Sequence, residues 1–253
     1  MKIVVLATDS PSTWMIVNVL RADYPDLRVG IEQPVSRFVL LRNRMRKLGV
    51  VNVIGQILFM LYLPVLRQLS KGRIEELISS AGLSAEPPAG LVRAGFISVN
   101  SDACREWLLK EAPDVVVVNG TRILSRETLA ACSAVFLNTH CGITPAYRGV
   151  HGGYWALEQG DAANAGVTVH VVDAGVDTGD IAYQKVFEID RQDNFLTYPV
   201  RQYVVAVPLM KAAIEGVRSG TLKLYKREDL PSAIWFHPTL WQYLWTLLRR
   251  GVR

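Results

Sequence analysis

Asn138 and His140 place a side-chain amide and an imidazole two residues apart, just after the apolar run Ala134-Val135-Phe136-Leu137. Both groups can donate a hydrogen bond to a carbonyl oxygen as negative charge develops on it. About thirty residues later, Asp173-Ala174-Gly175-Val176-Asp177-Thr178-Gly179 offers carboxylates in a stretch whose glycines permit a tight turn. Asp177 could orient the imidazole or help take a proton from an attacking amine. The chemistry such a trio would perform is acyl transfer. Polar loop residues of no catalytic role have the same composition, and linear order alone leaves both readings open.

Other reactive side chains are less informative. Cys141 adjoins His140, but neighbouring side chains point different ways, so it reads as a small buried or loop residue and not a nucleophile. His170 falls in a predicted strand and reads as structural. His151, in Gly149-Val150-His151-Gly152-Gly153, is close enough to the polar signature to touch an acceptor, whereas His237 has no such context. Four scattered histidines and the odd, widely spaced Cys104, Cys132 and Cys141 imply neither a metal site nor a disulfide scaffold.

The elements that must position these groups follow an α/β rhythm. Met1 to Ala7 reads as a first strand, followed by a helix over 13–21 with Ser12 as its cap, then a strand over 27–32. Asp114 to Val118 ends in an unalternating apolar run, the mark of a strand buried on both faces of a parallel sheet. Helices are expected over 102–111, 125–131 and 152–158, and strands over 134–137, 167–172 and 181–189. A long late helix over 193–217 is interrupted or started near Pro199. The fold class is therefore α/β, an open, mostly parallel sheet with helices on both faces and ligands at the strands' carboxyl ends. Residues 1–220 are expected to form one domain with a helical insertion around 35–85, leaving 221–253 as a Trp-rich extension.

With 253 residues, half of them apolar, the chain can bury a sizeable core. Its net charge of +5 is too mild to argue for nucleic acid. The short apolar start is a strand and not a signal peptide, so a cytoplasmic location is the default. Leu48 to Leu66 is uncharged and lies between Arg42, Arg44, Arg46 and Lys47 on one side and Arg67, Lys71 and Arg73 on the other. Its length just meets the roughly 17–25 residues of a membrane span, but Asn52, Gln56 and Pro64 argue for a helix packed in the core or against a partner such as a second copy. The alternative is peripheral contact at the inner face of a membrane. Trp241 and Trp245, four apart in the tail, would share a helix face and invite the same two readings.

Several ordered segments resemble the formyltransferase family that uses 10-formyl-tetrahydrofolate. They are Asn138-x-His140, Pro145-x-Tyr147-Arg148-Gly149, Gly166-x-Thr168-Val169-His170 and Asp173-x-Gly175-x-Asp177-x-Gly179. Gly120-Thr121-Arg122-Ile123-Leu124-Ser125 is similar to that family's loop beside the folate pterin. The resemblance is strong over residues 114–190 and looser elsewhere. It implies a Rossmann-like formyltransferase fold and 10-formyl-tetrahydrofolate as co-substrate. Asn138 and His140 would stabilise the oxyanion, with Asp177 positioning His140 and assisting proton transfer. It places Arg122, Ile123, Leu124, Asp173 and Gly175 near the folate, and Tyr147, Arg148 and His151 near the acceptor. No metal is implied.

Departures from the family pattern narrow the acceptor. Ala7-Thr8-Asp9-Ser10-Pro11 replaces the glycine-rich phosphate loop of the glycinamide ribonucleotide enzymes. Val150-His151-Gly152-Gly153 departs from the Ala-Ala-Pro character of methionyl-tRNA formyltransferases, and little sequence follows residue 220 to form their tRNA-gripping β-barrel. Thr144 replaces a leucine of the usual Leu-Leu-Pro run, a change expected only to reshape the acceptor side. The acceptor expected is a primary amine on an amino sugar, carried as a sugar nucleotide for polysaccharide or glycolipid assembly, with no nucleic-acid partner. Formate release by hydrolysis, or folate binding without turnover, are the competing readings.

Overall fold

The computed structural model describes residues 1–253, with the side chains of residues 37–41 and 43 excepted. Seven strands form one sheet: β1 (Ile3–Thr8), β2 (Arg28–Glu32), β3 (Arg93–Phe96), β4 (Val115–Asn119), β5 (Val135–His140), β7 (Gly166–Val171) and β8 (Ile181–Val186). A short pair, β6 (Arg148–Gly149) with β9 (Ile234–Trp235), stands apart. The order across the large sheet is β3-β2-β1-β4-β5-β7-β8. Neighbours are parallel from β3 to β5, and the last two pairings are antiparallel.

Burial explains the central order. Val4, Leu6, Val116, Val118 and Phe136 pack on one face with α4 (Asp102–Glu111), while Ile3, Val5, Ala7, Val115, Val117 and Leu137 pack on the other. That second face is covered by α1 (Pro11–Asp23) and α7 (Tyr198–Ser219). A strand covered on both sides gains nothing from apolar–polar alternation, so continuous valine runs are its natural sequence. The α1 helix begins with Pro11 at its first position and is capped by Ser10, whose side chain accepts from the Thr13 N–H; Ser12, the expected cap, lies inside the first turn.

Between β2 and β3 the chain forms α2 (Arg37–Leu48) and the 31-residue α3 (Val50–Ser80), with Pro64 inside the latter. A third cluster ties α3 to α6 (Gly152–Glu158) and α8 (Leu240–Arg250) through Phe59, Leu66, Tyr154, Trp155, Phe195 and Tyr243. A short α5 (Arg126–Leu129) follows β4. Sequence reading overlooked β3, β6 and β9; strands of two to four residues with no apolar run carry too little periodicity to be seen.

Because the chain leaves β1 toward β2 and β3 and later returns to β4 on the opposite side, a crevice opens at the carboxyl ends of β1 and β4. The side chain of Asn119, at the end of β4, closes its floor. It donates to Ser12 and Thr13 of α1 and accepts from the Tyr203 hydroxyl of α7 at 2.6 Å. Leu137 is fully buried in the core beneath this floor, so Leu137→Ala should lower unfolding free energy by about 2–5 kcal/mol. Urea titration followed by circular dichroism measures the loss.

Candidate active site

β5 extends to His140, three residues beyond the apolar run, so Asn138 and His140 belong to the strand itself. Alternation puts both side chains on one face. β7 runs antiparallel beside it, with His170 opposite Asn138 and Thr168 opposite His140. His170 is thereby brought into the cluster, which no reading of β7 alone could reveal, since register depends on pairing.

Asp177 reaches the same face from the loop joining β7 to β8. Its φ of +50° is a left-handed conformation that Asp tolerates better than most residues. Oδ2 accepts the Gly149 backbone N–H at 2.9 Å and lies 3.4 Å from His140 Nδ1. Oδ1 lies 3.6 Å from His170 Nε2 and 3.5 Å from the Asn138 amide nitrogen, which donates to it. Burial by itself pushes the Asp177 carboxyl up. The attraction of His140, reinforced by His170 and the Gly149 N–H, overcomes that and holds it at about 2.

The remaining ring nitrogens are also engaged. His170 Nδ1 donates to the Val171 carbonyl oxygen at 2.8 Å, and its Nε2 lies 3.1 Å from the Asn138 amide nitrogen. His140 Nε2 donates to the Tyr147 carbonyl at 2.6 Å. Gly142 is what permits this: a Cβ there would stand 2.2 Å from the Tyr147 carbonyl oxygen and 2.7 Å from His140 Nε2. Cys141 adjoins the cluster, but burial pushes its thiol up to about 12, so almost no thiolate exists at neutral pH. Among the described residues no group of three or more His, Cys, Asp and Glu is arranged to hold a metal ion.

This cluster ends a cavity of about 690 Å³ at the strand carboxyl ends. Its walls include Gly120 to Leu124, Val172, Asp173, Gly175, Val176, Tyr203, His151 and His237. The volume lies within the range of small-molecule sites. Ile123 is 54% exposed, an apolar side chain standing open at the wall. The Arg122 guanidinium is directed toward protein groups: it pairs with the buried Glu32 and donates to the carbonyls of Gln33 and Ile97. Glu32 also accepts the backbone N–H groups of Val99 and Arg122, so one carboxylate fixes the whole loop. Asp173 accepts from the Gly175 N–H and the Thr178 hydroxyl, tightening the loop that carries Asp177.

Two residues expected near the acceptor are placed elsewhere. Tyr147 is buried, its hydroxyl donating to Asp161 at 2.8 Å and its ring stacked on Trp235, so only its backbone meets the cluster. Arg148 donates to the Val176 carbonyl and lines a separate cavity of about 250 Å³ with Lys226 and Arg227. Apolar contact and hydrogen bonding to neighbours decide both orientations, and a linear motif contains neither. His151 does line the main cavity, with its Nε2 2.9 Å from His237 Nδ1. Burial depresses both imidazoles, His237 to about 4, so the pair is neutral at pH 7 and shares one N–H···N bond. Its partner comes from the C-terminal segment, eighty-six residues away, with no sequence signal to announce it.

Residues 92–206 match the formyl transferase family. The match covers β3 to β8 and includes Asn138, His140 and Asp177. Methionyl-tRNA formyltransferase of Desulfotalea psychrophila is 32% identical over 154 residues, 60% of this chain and 47% of that protein. The chain thus spans about half the length of that relative. Among solved structures, glycinamide ribonucleotide transformylase 1 of Symbiobacterium toebii superposes with a TM-score of 0.58 at 21% identity, over 92% of this chain and 94% of that one. The N-formyltransferase of Helicobacter canadensis, in complex with folinic acid and dTDP-3-aminofucose, gives 0.57 at 13% identity, over 93% and 70%. At these identities the structures establish the fold: a formyl transferase sheet with surrounding helices.

Because the Asp177 carboxyl sits below its ordinary value of 3.8, its stabilisation is present above about pH 4 and lost as pH falls toward 2. The loss should be about 2 kcal/mol. Urea midpoints at pH 4.5 and 2.5 should show this component in the wild type and its absence in Asp177→Asn.

Proposed function

We propose that this chain transfers a formyl group from 10-formyl-tetrahydrofolate to a primary amine, that of an amino-sugar nucleotide serving polysaccharide or glycolipid assembly. The observation that carries the reading is the meeting of Asn138, His140 and Asp177 at one end of a cavity, within the segment that matches the formyl transferase family. The residues suit the co-substrate. Gly120 to Leu124 offer backbone groups and the exposed Ile123 side chain for a flat ring, and Asp173 and Gly175 bound the far wall. The bound folate supplies an acyl group already activated on nitrogen.

The chain's own residues then have separable tasks. The Asn138 amide and the His140 imidazole donate to the formyl oxygen as it gains negative charge. Asp177 holds His140 in place and, ionised at neutral pH, takes the proton lost from the attacking amine, directly or through the ring; that proton would pass to the folate N10 as its bond to the formyl carbon breaks and tetrahydrofolate leaves. Both donors contact protein acceptors, Asn138 at Asp177 and His140 at Tyr147, so substrate binding must exchange those bonds for the formyl oxygen.

The amino-sugar acceptor is supported by the relative bound to dTDP-3-aminofucose and by the Ser10-capped turn after β1, which has no glycine. A methionyl-tRNA acceptor is favoured by the 32% identity to the Desulfotalea enzyme. We assign the chain to the cytoplasm, a reading supported by three unpaired cysteine thiols.

Purified protein should consume 10-formyl-tetrahydrofolate in the presence of one of a panel of dTDP- and UDP-amino sugars, and yield the N-formyl product by mass spectrometry. Transfer to methionyl-tRNA alone would replace the acceptor, and acceptor-independent formate release would make the chain a hydrolase. His140→Ala and Asp177→Ala should each reduce transfer at least roughly tenfold with an unchanged circular dichroism spectrum. Near-normal rates in both variants would overturn the mechanism.

A further inference from the structure

The α3 helix buries one side and leaves the opposite side apolar. Ile54, Leu58, Leu61, Val65 and Leu69 recur three or four residues apart and are 42–75% exposed. Such a stripe ordinarily faces a core. The α8 helix repeats the pattern with Trp241, Leu244, Trp245 and Leu248, spaced i, i+3, i+4 and i+7 and 42–82% exposed. The two helices lie against each other. The Trp241 ring covers Gly55 so closely that a Cβ there would meet it at 2.2 Å, and Phe59 packs on Tyr243 with ring centroids 5.0 Å apart.

Charge is distributed to match. Residues 33–74 and 230–253 contain 11 of the 28 basic residues and none of the 23 acidic ones. The rest of the chain therefore carries 17 basic against 23 acidic residues and is net negative, so the positive excess belongs to these two segments, whose Lys71 pairs with Glu75 and whose Arg73 pairs with Glu76, Asp190 and Asp193. Arg46 and Lys47 precede α3, Arg67 and Lys71 lie within it, and Arg249 and Arg250 end α8, where the Arg249 guanidinium lies 4.3 Å from the Trp245 ring centroid.

We propose that the α3–α8 face is a docking surface for an anionic lipid bilayer, with both helices lying in the interface plane. Exposed aliphatic side chains enter the acyl boundary, tryptophans sit at headgroup depth, and the basic rim meets lipid phosphates. Fully buried Phe59 and nearly buried Leu66 hold α3 to the domain, so it lies on the membrane and does not cross it. A second copy of the chain is the poorer occupant, because apposing two such faces brings basic rim against basic rim. A cavity of about 200 Å³ between the two helices shares His237 with the site cavity, so docking sets that side of the site toward the bilayer. On the formyl-transfer reading a membrane-borne amine could enter there. Docking itself does not depend on that reading.

The test uses the full chain, without folate or acceptor, in flotation with phosphatidylglycerol-containing vesicles and with pure phosphatidylcholine vesicles. The protein should float with the anionic vesicles, and at least about tenfold less with the neutral ones at low salt. Leu61→Glu combined with Trp245→Glu should lower flotation at least about tenfold. The side chains are 70% and 57% exposed, and the circular dichroism spectrum should be retained. A second variant, Arg249→Glu with Arg250→Glu, should weaken anionic binding alone. Absence of flotation, flotation unaffected by both variants, or a dimer in solution that the Leu61→Glu, Trp245→Glu variant dissociates, would each overturn the proposal.

Discussion

A buried carboxylate between two imidazoles organises the functional end of this molecule. Asp177 is reached by the Gly149 N–H of β6, by Asn138 and His140 of β5 and by His170 of β7. An ionised acid taken out of water is costly unless such partners compensate it. The surrounding design can be read as that compensation: the β5–β7 register aligns Asn138 with His170, the Asp173 turn bends the backbone, and β6 turns one amide inward. Loss of any one would leave the others facing an unpaired charge.

The sheet provides the rigidity this arrangement requires. Parallel strands buried on both faces fix the carboxyl ends of β1, β4 and β5 in one plane, and the crossover between β1 and β4 opens the crevice above them. Glu32 then pins the Arg122 loop along one wall, while Asn119 and Tyr203 join α1 to α7 below it. Buried polar groups thus concentrate where loops meet strand ends, and the apolar packing beneath them is what makes their positions reproducible.

The helices between β2 and β3 follow a different logic. Half of α3 completes a core with α6 and α8, and half remains apolar and exposed beside a belt of positive charge. The same C-terminal segment that supplies α8 also supplies β9 and His237, so the His151–His237 side of the cavity and the exposed face share their framework. The flank formed by α3 and α8 carries the basic excess.

Composition and periodicity determined a good deal. Valine runs announced the central strands, the polar residues after Leu137 and around Asp177 announced a strand-end site, and their ordered spacing announced the formyl transferase resemblance. These features are local: a buried strand, a tight turn and a motif each leave a mark within about ten residues. Tertiary structure alone decided what meets what. Register set His170 against Asn138, packing turned Tyr147 and Arg148 away from the cavity, and folding back of the chain's last segment brought His237 to His151. It also decided that the uncharged helix would bury only one of its sides. Such outcomes depend on contacts between segments far apart in the chain, where hydrophobic pattern specifies which side is apolar but not which surface will cover it.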